Sequence, residues 1–512
     1  MRSMQSQIVI VGGGSAGWLT AGVLAAEFKH TPDINITLIE SSDVPTIGVG
    51  EGTWPSMRAT LERIGLSEND LIQHCNATFK QGSLFRQWRN NSPQDRYHHP
   101  FTAPQASNQF DLAPHWLPFA EQVPFAFAMS TQPAMIEAGR GPKNISTPQY
   151  AFVQNYGYHL DAGKFVSLLK QHCVTQLGVR HIVDNVIAVD GEKDDVIQQV
   201  MTEKNGAVCG DLFIDCSGFA ALLIEKHYGI KLHKQDHVLF NDKAWAVQVP
   251  YAADDTPIAS ATLSTAQTAG WIWDIGLQTR RGVGYVYSSA HSSSDEAMQT
   301  LDRYLGGLPA DSRVREIPIV PGYREVFWHH NCVAVGLSAG FIEPLEASAL
   351  VLIELAASFI AQQLPFDSQS MKTVSQRYNQ TFTYRWQRII EFLKLHYVLS
   401  SRDDSDYWRD NRAASSQPES LQALLALWQT QCPSRYDFPM AEEMFPAASY
   451  QYIYYGMGGQ SHLPPKASIA RYAERAMQEF SQVRQQSANL ARQLPSHREL
   501  IEKIAAYGLQ KI

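Results

Sequence analysis

Cysteine is scarce and scattered in this chain: six among 512 residues, at 75, 173, 209, 216, 332 and 432, with no C-x-x-C pair and no Cys/His cluster at zinc spacing. That excludes a disulfide scaffold and gives no reason to expect a metal; the cysteines should be reduced and mostly buried. No run of about 18 apolar residues exists that could span a bilayer, so no membrane association is expected. A long basic run is also missing. The 42 lysines and arginines against 50 aspartates and glutamates leave a net charge of −8, which removes the electrostatic case for nucleic acid. Only Met1–Gln7 precede the first strand-like run, without an apolar segment and cleavage site, so cytoplasmic residence is the expectation.

What is present begins at Ile8. A β-branched run, Ile8 to Val11, breaks into Gly12-x-Gly14-x-x-Gly17 with Ser15 and Ala16 inside it, and a helical apolar pattern follows to Phe28. A second strand, Ile34 to Ile39, ends in Glu40. Strand, glycine turn, helix, strand and an acid about 20 residues beyond the glycines is the dinucleotide-binding order, in which the acid accepts the ribose hydroxyls. A glycine-rich structural turn is the plainer alternative.

Downstream, Val49-Gly50-Glu51-Gly52 is a flexible connector into a helix from Pro55 to Ile64, stopped by Gly65. Ser67 caps a further helix expected from Glu68 to about Lys80. Residues 90–150 have little periodicity and are rich in Pro, Asn, Gln, His and aromatics, which suggests a long excursion over an active site. Phe165 to Leu177 is helical, Val179 to Val200 β-rich, Leu212 to Cys216 a strand, and 240–290 alternates like an antiparallel sheet. From 345 the pattern turns helical, ending in a long amphipathic stretch from about Lys466 to Leu494.

The strand Cys332 to Val335 leads into the small-residue loop Gly336-Leu337-Ser338-Ala339-Gly340, then Pro344 and an oily helix. A second strand, loop and helix of this kind favours a flavin over a nicotinamide, because it brings a helix N-terminus to the isoalloxazine; another α/β crossover would look the same. Glu346 is expected in the first turn of that helix, where capping alone could explain it, and the N–H groups of Ser348 and Ala349 could form an anion site. Lys80 borders the apolar stripe of Leu71, Ile72, Cys75 and Phe79, where a snorkelling edge lysine is the plain reading. Trp271 and Trp273, two apart on a strand, point to one face; they could wall a cavity or simply fill a sheet core.

Taken together these segments closely resemble the flavin-dependent tryptophan halogenase family from end to end. The resemblance is carried by Gly-Gly-Gly-Ser-Ala-Gly-Trp at 12–18, Val-Gly-Glu-Gly-Thr-Trp-Pro at 49–55, Phe79-Lys80, Tyr97-His98-His99-Pro100-Phe101, Phe213-Ile214-Asp215-Cys216-Ser217-Gly218, Trp-x-Trp-x-Ile at 271–275, Glu343-Pro344-Leu345-Glu346 and Ser401-Arg402-Asp403-Asp404. It implies an α/β fold: an FAD-binding two-dinucleotide-fold core of the flavin monooxygenase type over 1–365, with a mainly helical substrate-binding module over 366–512. It implies FAD bound by Gly12, Gly14, Ser15, Ala16, Gly17, Glu40, Val49, Gly50 and Leu337, and supplied as FADH2 by a separate flavin reductase. A C4a-hydroperoxide would be attacked by chloride or bromide held at Ser348 and Ala349. The hypohalous acid would pass to Lys80, and Glu346 would orient the electrophile or take the ring proton. The two tryptophans would keep substrate from the hydroperoxide. Whether the chain forms a homodimer is left open.

Three positions depart from the family pattern. Gly276 replaces the family's usual proline after Trp-x-Trp-x-Ile and should loosen that wall; Ser348-Ala349 replace the usual Thr-Gly. The stretch Tyr436 to Phe445 is much shortened and does not match the residues that hold the head group of free tryptophan. Indole or another electron-rich small aromatic, between His99 and Phe101 on one side and a tyrosine of 450–455, Tyr454, on the other, is therefore expected. Two alternatives remain: a single-component flavin hydroxylase, which rapid reduction of its flavin by NADPH alone would reveal, and a flavin-binding protein without turnover.

Overall fold

A computed structural model describes residues 6–43, 50–309, 312–365 and 367–510. The chain divides into two compact units, each built from three segments. The first takes Met1–Ala77, Leu160–Gln235 and Val320–Trp386; the second takes Thr78–His159, Asp236–Ile319 and Gln387–Ile512. The last transition falls within the helix Ser368–Val398, so the sequence-based division at 365 lies inside the first unit's final segment.

In the first unit, Ser6–Val11 is central to a six-stranded sheet. It pairs in parallel with Ile34–Glu40 on one side and Leu212–Asp215 on the other; Arg180–Val183 and Cys332–Ala334 extend the two flanks in parallel, and Trp328–His329 closes one edge antiparallel. The run of β-branched residues suits a strand covered on both faces, and Ile8 to Val11 are all buried. Val11 lies opposite both Ile39 and Asp215. The strand ends are therefore level, and Gly12 leaves from the carboxyl edge, where open α/β sheets bind ligands.

The helix Ser15–Glu27 is buried continuously from Gly17 to Ala25 and packs against the helices Ala162–Gln176 and Ser348–Gln363. Two of the glycines are dictated by close approach. Gly12 has φ 121°, and a Cβ there would lie 2.1 Å from the Cys216 carbonyl oxygen; one on Gly17 would lie 1.9 Å from the Gly12 carbonyl oxygen.

The second unit is organised on a seven-stranded sheet. In spatial order its strands are Arg315–Pro318, Lys243–Pro250, Arg280–Tyr287, Gly270–Gly276, Thr262–Gln267, Gly82–Arg86 and Arg96–Pro100, all antiparallel except the pairing of Thr262–Gln267 with Gly82–Arg86. The helix Ser294–Leu305, held by a capping box of Ser293 and Glu296, lays Ala297 and Leu301 over Val247, Ile272, Val283 and Tyr285. The described part of the chain from residue 367 onward is mainly helical, including the amphipathic helix Ala467–Gln493 expected from the sequence. Among the described residues all six cysteines are free and only Cys209 is exposed, and no helix is long and apolar enough to cross a membrane.

One expected element is wrong. The helix after Ser67 ends at His74, capped by Cys75; Asn76 takes a left-handed φ of 52°, and Thr78–Lys80 is a strand paired antiparallel with Gly157–Leu160. Asparagine tolerates that conformation, and the β-forming Thr78 and Phe79 find a partner 80 residues away in sequence, as Thr78 faces His159 and Phe79 faces Tyr158.

Candidate active site

The nucleotide turn is built as the sequence suggests. Gly14 precedes the helix Ser15–Glu27 with no side-chain cap, and the first turn holds no acidic residue. A Cβ on Gly14 would meet nothing within 4 Å, so the helix N-terminus opens onto free space. Uncapped N–H groups beside such a space suit a pyrophosphate, and the residues present therefore fit a dinucleotide such as FAD. Ser15 and Ala16 begin the helix; Ala16 Cβ is so close to Gly336 that a Cβ there would lie 2.5 Å away. Glu40 ends its strand with Oε2 3.0 Å from Lys170 Nζ and 2.8 Å from His181 Nε2. Burial and the Lys170 charge lower the pKa of His181, so the lysine supplies the cation beside Glu40.

Two further strand ends converge on this turn. Asp215 accepts from Ser217 N (3.0 Å), Ser217 Oγ (2.6 Å), Leu223 N (2.8 Å) and Ile224 N (2.9 Å), which locks the Cys216-Ser217-Gly218 bend. Leu337 sits in the short helical turn Gly336–Ser338, pinned where Ser338 Oγ donates to the carbonyls of Val335 and Asp215. Gly50 is described, with φ 131°; Val49 lies outside the described residues.

The helix bearing Ser348 and Ala349 starts later than expected. It spans Ser348–Gln363, Ala347 precedes it with a left-handed φ of 53° and provides no side-chain cap, and Ala347 N donates to Pro344 O at 3.1 Å. Glu346 consequently lies two residues before the helix, not in its first turn. Its backbone carbonyl accepts from Trp54 Nε1 at 2.7 Å, and the residue is 4% exposed. Ser348 is buried and Ala349 exposed, both in the first helical turn.

In the second unit, Lys80 is 1% exposed and its Nζ lies 5.3 Å from the centroid of the Phe101 ring. Burial, and then the charge of Lys80, hold the pKa of His159 well below its usual value, and His159 Nε2 is 2.8 Å from Thr262 Oγ1. His99 bonds Ser449 Oγ through Nε2 at 2.9 Å, and its ring faces Phe392 (5.5 Å), Phe445 (6.4 Å) and Tyr452 (6.4 Å). Phe445 stacks on Phe392 at 3.7 Å.

Tyr454 does not join that group. It lies on the helix Ala447–Gly456, packs against Trp428 at 5.4 Å and donates from its hydroxyl to Gln460 O at 2.8 Å. Residues two apart on a helix point some 200° apart, so the tyrosine that meets His99 is Tyr452. Phe392 and Phe445 escaped sequence reasoning: the first sits in a long helix with no motif around it, and the second ends the shortened 436–445 stretch.

Trp271 and Trp273 share a face as expected, with centroids 6.3 Å apart. Trp271 is fully buried 6.3 Å from Trp88, and Trp273 lies against Gly284, where a Cβ would be 2.1 Å from Cζ2. Gly276 is closely surrounded. A Cβ there would lie 3.1 Å from both Ile258 Cγ2 and Tyr251 Oη, and its carbonyl accepts from Thr78 Oγ1 at 2.6 Å.

Residues 7–471 match the family model described as tryptophan halogenase. A 7-chloro-L-tryptophan 6-halogenase, KtzR, of Kutzneria sp. (strain 744) is 34% identical, covering 97% of this chain and 99% of that protein. Among solved structures, a tryptophan halogenase from Shewanella frigidimarina NCIMB 400 is 50% identical with a TM-score of 0.96, covering 100% of both chains. BrvH, a flavin-dependent halogenase from Brevundimonas sp. BAL3, is 33% identical with a TM-score of 0.85 over 98% of this chain and 99% of that one. With a dinucleotide turn built on its glycines and a match that runs nearly from end to end, the chain belongs to the tryptophan halogenase family of flavin-dependent enzymes.

Proposed function

We propose that the enzyme halogenates a small electron-rich aromatic ring, such as indole, with chloride or bromide, and that Lys80 activates the halogen while Glu346 takes the ring proton. Reduced FAD, delivered by a separate flavin reductase, supplies with O2 the oxidising equivalents that convert halide to hypohalous acid. Gly12, Gly14, Ser15, Ala16 and Gly17 would hold the pyrophosphate through backbone N–H groups, Glu40 the ribose, and Gly50 and Leu337 would line the flavin; the first-turn N–H groups of Ser348 and Ala349 would hold the halide. The observation that carries the reading is a lysine ammonium at 1% exposure over the Phe101 ring, in a chain of this family.

A hydrogen bond from that ammonium to the oxygen of hypohalous acid draws electrons from the O–X bond, and in dry surroundings it does so far more strongly than in water. The ring carbon then forms its bond to the halogen as O–X breaks. Hydroxide leaves as water by taking the proton that the Lys80 ammonium holds against it, the ring gives its own proton to the Glu346 carboxylate, and proton transfer from the Glu346 acid to the Lys80 amine through solvent restores both groups. His159, kept neutral by burial and by the lysine's charge, does not set a second cation against Lys80. Indole is favoured over free tryptophan because the 436–445 stretch lacks the family's head-group residues, while His99 and Phe101 offer flat apolar faces.

The test is mass spectrometry of indole incubated with enzyme, FAD, a flavin reductase, NADH and either halide. A product with the chlorine or bromine isotope pair that disappears in Lys80→Ala, while flavin oxidation and hypohalous acid release persist, is expected. A product heavier by one oxygen would transfer the assignment to hydroxylation.

A further inference from the structure

The strand carrying Lys80 has three residues and lies at the edge of its sheet. So short an edge strand is poorly fixed by its ladder alone, yet Lys80 must hold its ammonium to within a fraction of an ångström. The backbone N–H of Phe79, one residue before the lysine, donates to Nε2 of His497 at 3.0 Å, across 418 residues of sequence.

His497 is itself immobilised. It opens the helix His497–Tyr507, whose Ser496 cap accepts from Glu499 N at 3.1 Å, and its own N–H donates to Gly139 O at 2.9 Å. The residue is 1% exposed. The helix leaves no slack behind it: a Cβ on Gly141 would lie 2.6 Å from Leu500 Cδ2.

The Phe79 side chain is boxed in too. Its ring lies 4.9 Å from Tyr156, 6.3 Å from Tyr158 and 5.9 Å from His497, with the buried Lys143 ammonium 5.8 Å from its centroid. A ring accepting through Nε2 must be neutral with its proton on Nδ1, and burial lowers the His497 pKa to about 4. The acceptor therefore persists at neutral pH.

We infer that His497 is a positioning residue for the halogenation step: it takes the place of a missing neighbouring strand, fixes the Phe79–Lys80 backbone, and so aims the Lys80 ammonium. The inference rests on Lys80 being the activating residue. Its test uses two variants of the FAD-loaded enzyme with reductase, His497→Leu, which removes the acceptor, and His497→Gln, whose Oε1 can reach the position of Nε2.

The quantity to measure is halogenated indole formed per flavin oxidised. His497→Leu should lose roughly tenfold or more, the scale of a small misplacement, with flavin oxidation unchanged and the lost electrophile recovered as hypohalous acid in monochlorodimedone. His497→Gln should stay within about threefold of wild type. Equal values for the two variants overturn the proposal. Hydrogen exchange of the FAD-loaded wild type needs no variant to fold: the Phe79 amide should be as protected as the ladder amides of Gly270–Gly276, and exchange at the rate of an exposed turn overturns the clasp. A wild type that makes no halogenated product at all would instead overturn the halogenation reading on which the role of Lys80 rests, and the exchange result would still decide whether His497 holds the strand.

Discussion

Trp54 donates its indole N–H to the backbone carbonyl of Glu346 at 2.7 Å. The contact is to the main chain, so it fixes the peptide from which the carboxylate projects without touching the carboxylate's charge. It occurs where Ala347 holds a left-handed φ of 53°, a conformation that costs a non-glycine residue about 1 kcal/mol or more and needs outside support. Trp54→Phe keeps the ring and removes the donor. One hydrogen bond of about 1 kcal/mol is at stake, so product formation should fall roughly fivefold with little change in the KM for indole. Steady-state product assays over a range of indole concentrations check this.

Glu346 itself is 4% exposed and lies two residues before the helix Ser348–Gln363. If its carboxylate receives the ring proton, Glu346→Gln should lower halogenation by about two orders of magnitude, with flavin oxidation and hypohalous acid release intact. A rate near that of wild type would leave the residue with a purely structural role.

Gly14 gives a prediction in which stability and binding move apart. Its φ of −79° and ψ of −171° suit any residue, and a Cβ there meets nothing within 4 Å. In Gly14→Asp the new side chain can cap the helix, which should not destabilise the fold and could add a few tenths of a kcal/mol. The same charge would face the cofactor's pyrophosphate, and two like charges about 4 Å apart repel by about 4 kcal/mol at an effective dielectric of about 20. FAD affinity should fall roughly a hundredfold or more while the melting temperature holds; calorimetric titration and thermal melts separate the two.

What was legible in the sequence was local. The Gly12, Gly14 and Gly17 turn and Glu40 follow from residue spacing, because strand, turn, helix and second strand are contiguous in sequence. The common face of Trp271 and Trp273 followed from strand alternation. Leu71, Ile72, Cys75 and Phe79 fit helical spacing and carry the expected helix on to Lys80; the pairing with Gly157–Leu160 that overrides it is non-local. Nothing near Ala347 signals its left-handed turn, so the helix start was placed too early. Tyr454 is one of several tyrosines in a single stretch, where only the helix phase, fixed by packing on Trp428, shows that Tyr452 meets His99. His497 had no signal at all.

Glu354 offers a test on stability alone. It lies in the helix Ser348–Gln363 at 3% exposure and accepts from Ser56 Oγ at 3.2 Å and from Thr60 Oγ1, tying that helix to Ser56–Ile64. Burial raises its pKa from 4.5 to about 7, although both hydroxyls oppose the rise. The sign follows from proton counts. Between pH 4.5 and about 7 the folded chain keeps a proton that the unfolded chain has released, so stability falls as pH rises through this window and levels off above it. The difference between the two pKa values is worth about 3 kcal/mol at most. Glu354→Gln does not titrate, and its amide can still accept from one hydroxyl and donate to the other. Its stability relative to wild type should therefore grow from pH 5 to pH 8, by up to about 3 kcal/mol, as measured by chemical denaturation at the two pH values. Parallel pH profiles for the two proteins would mean that Glu354 is already ionised where it sits, held by the two hydroxyls in spite of its burial.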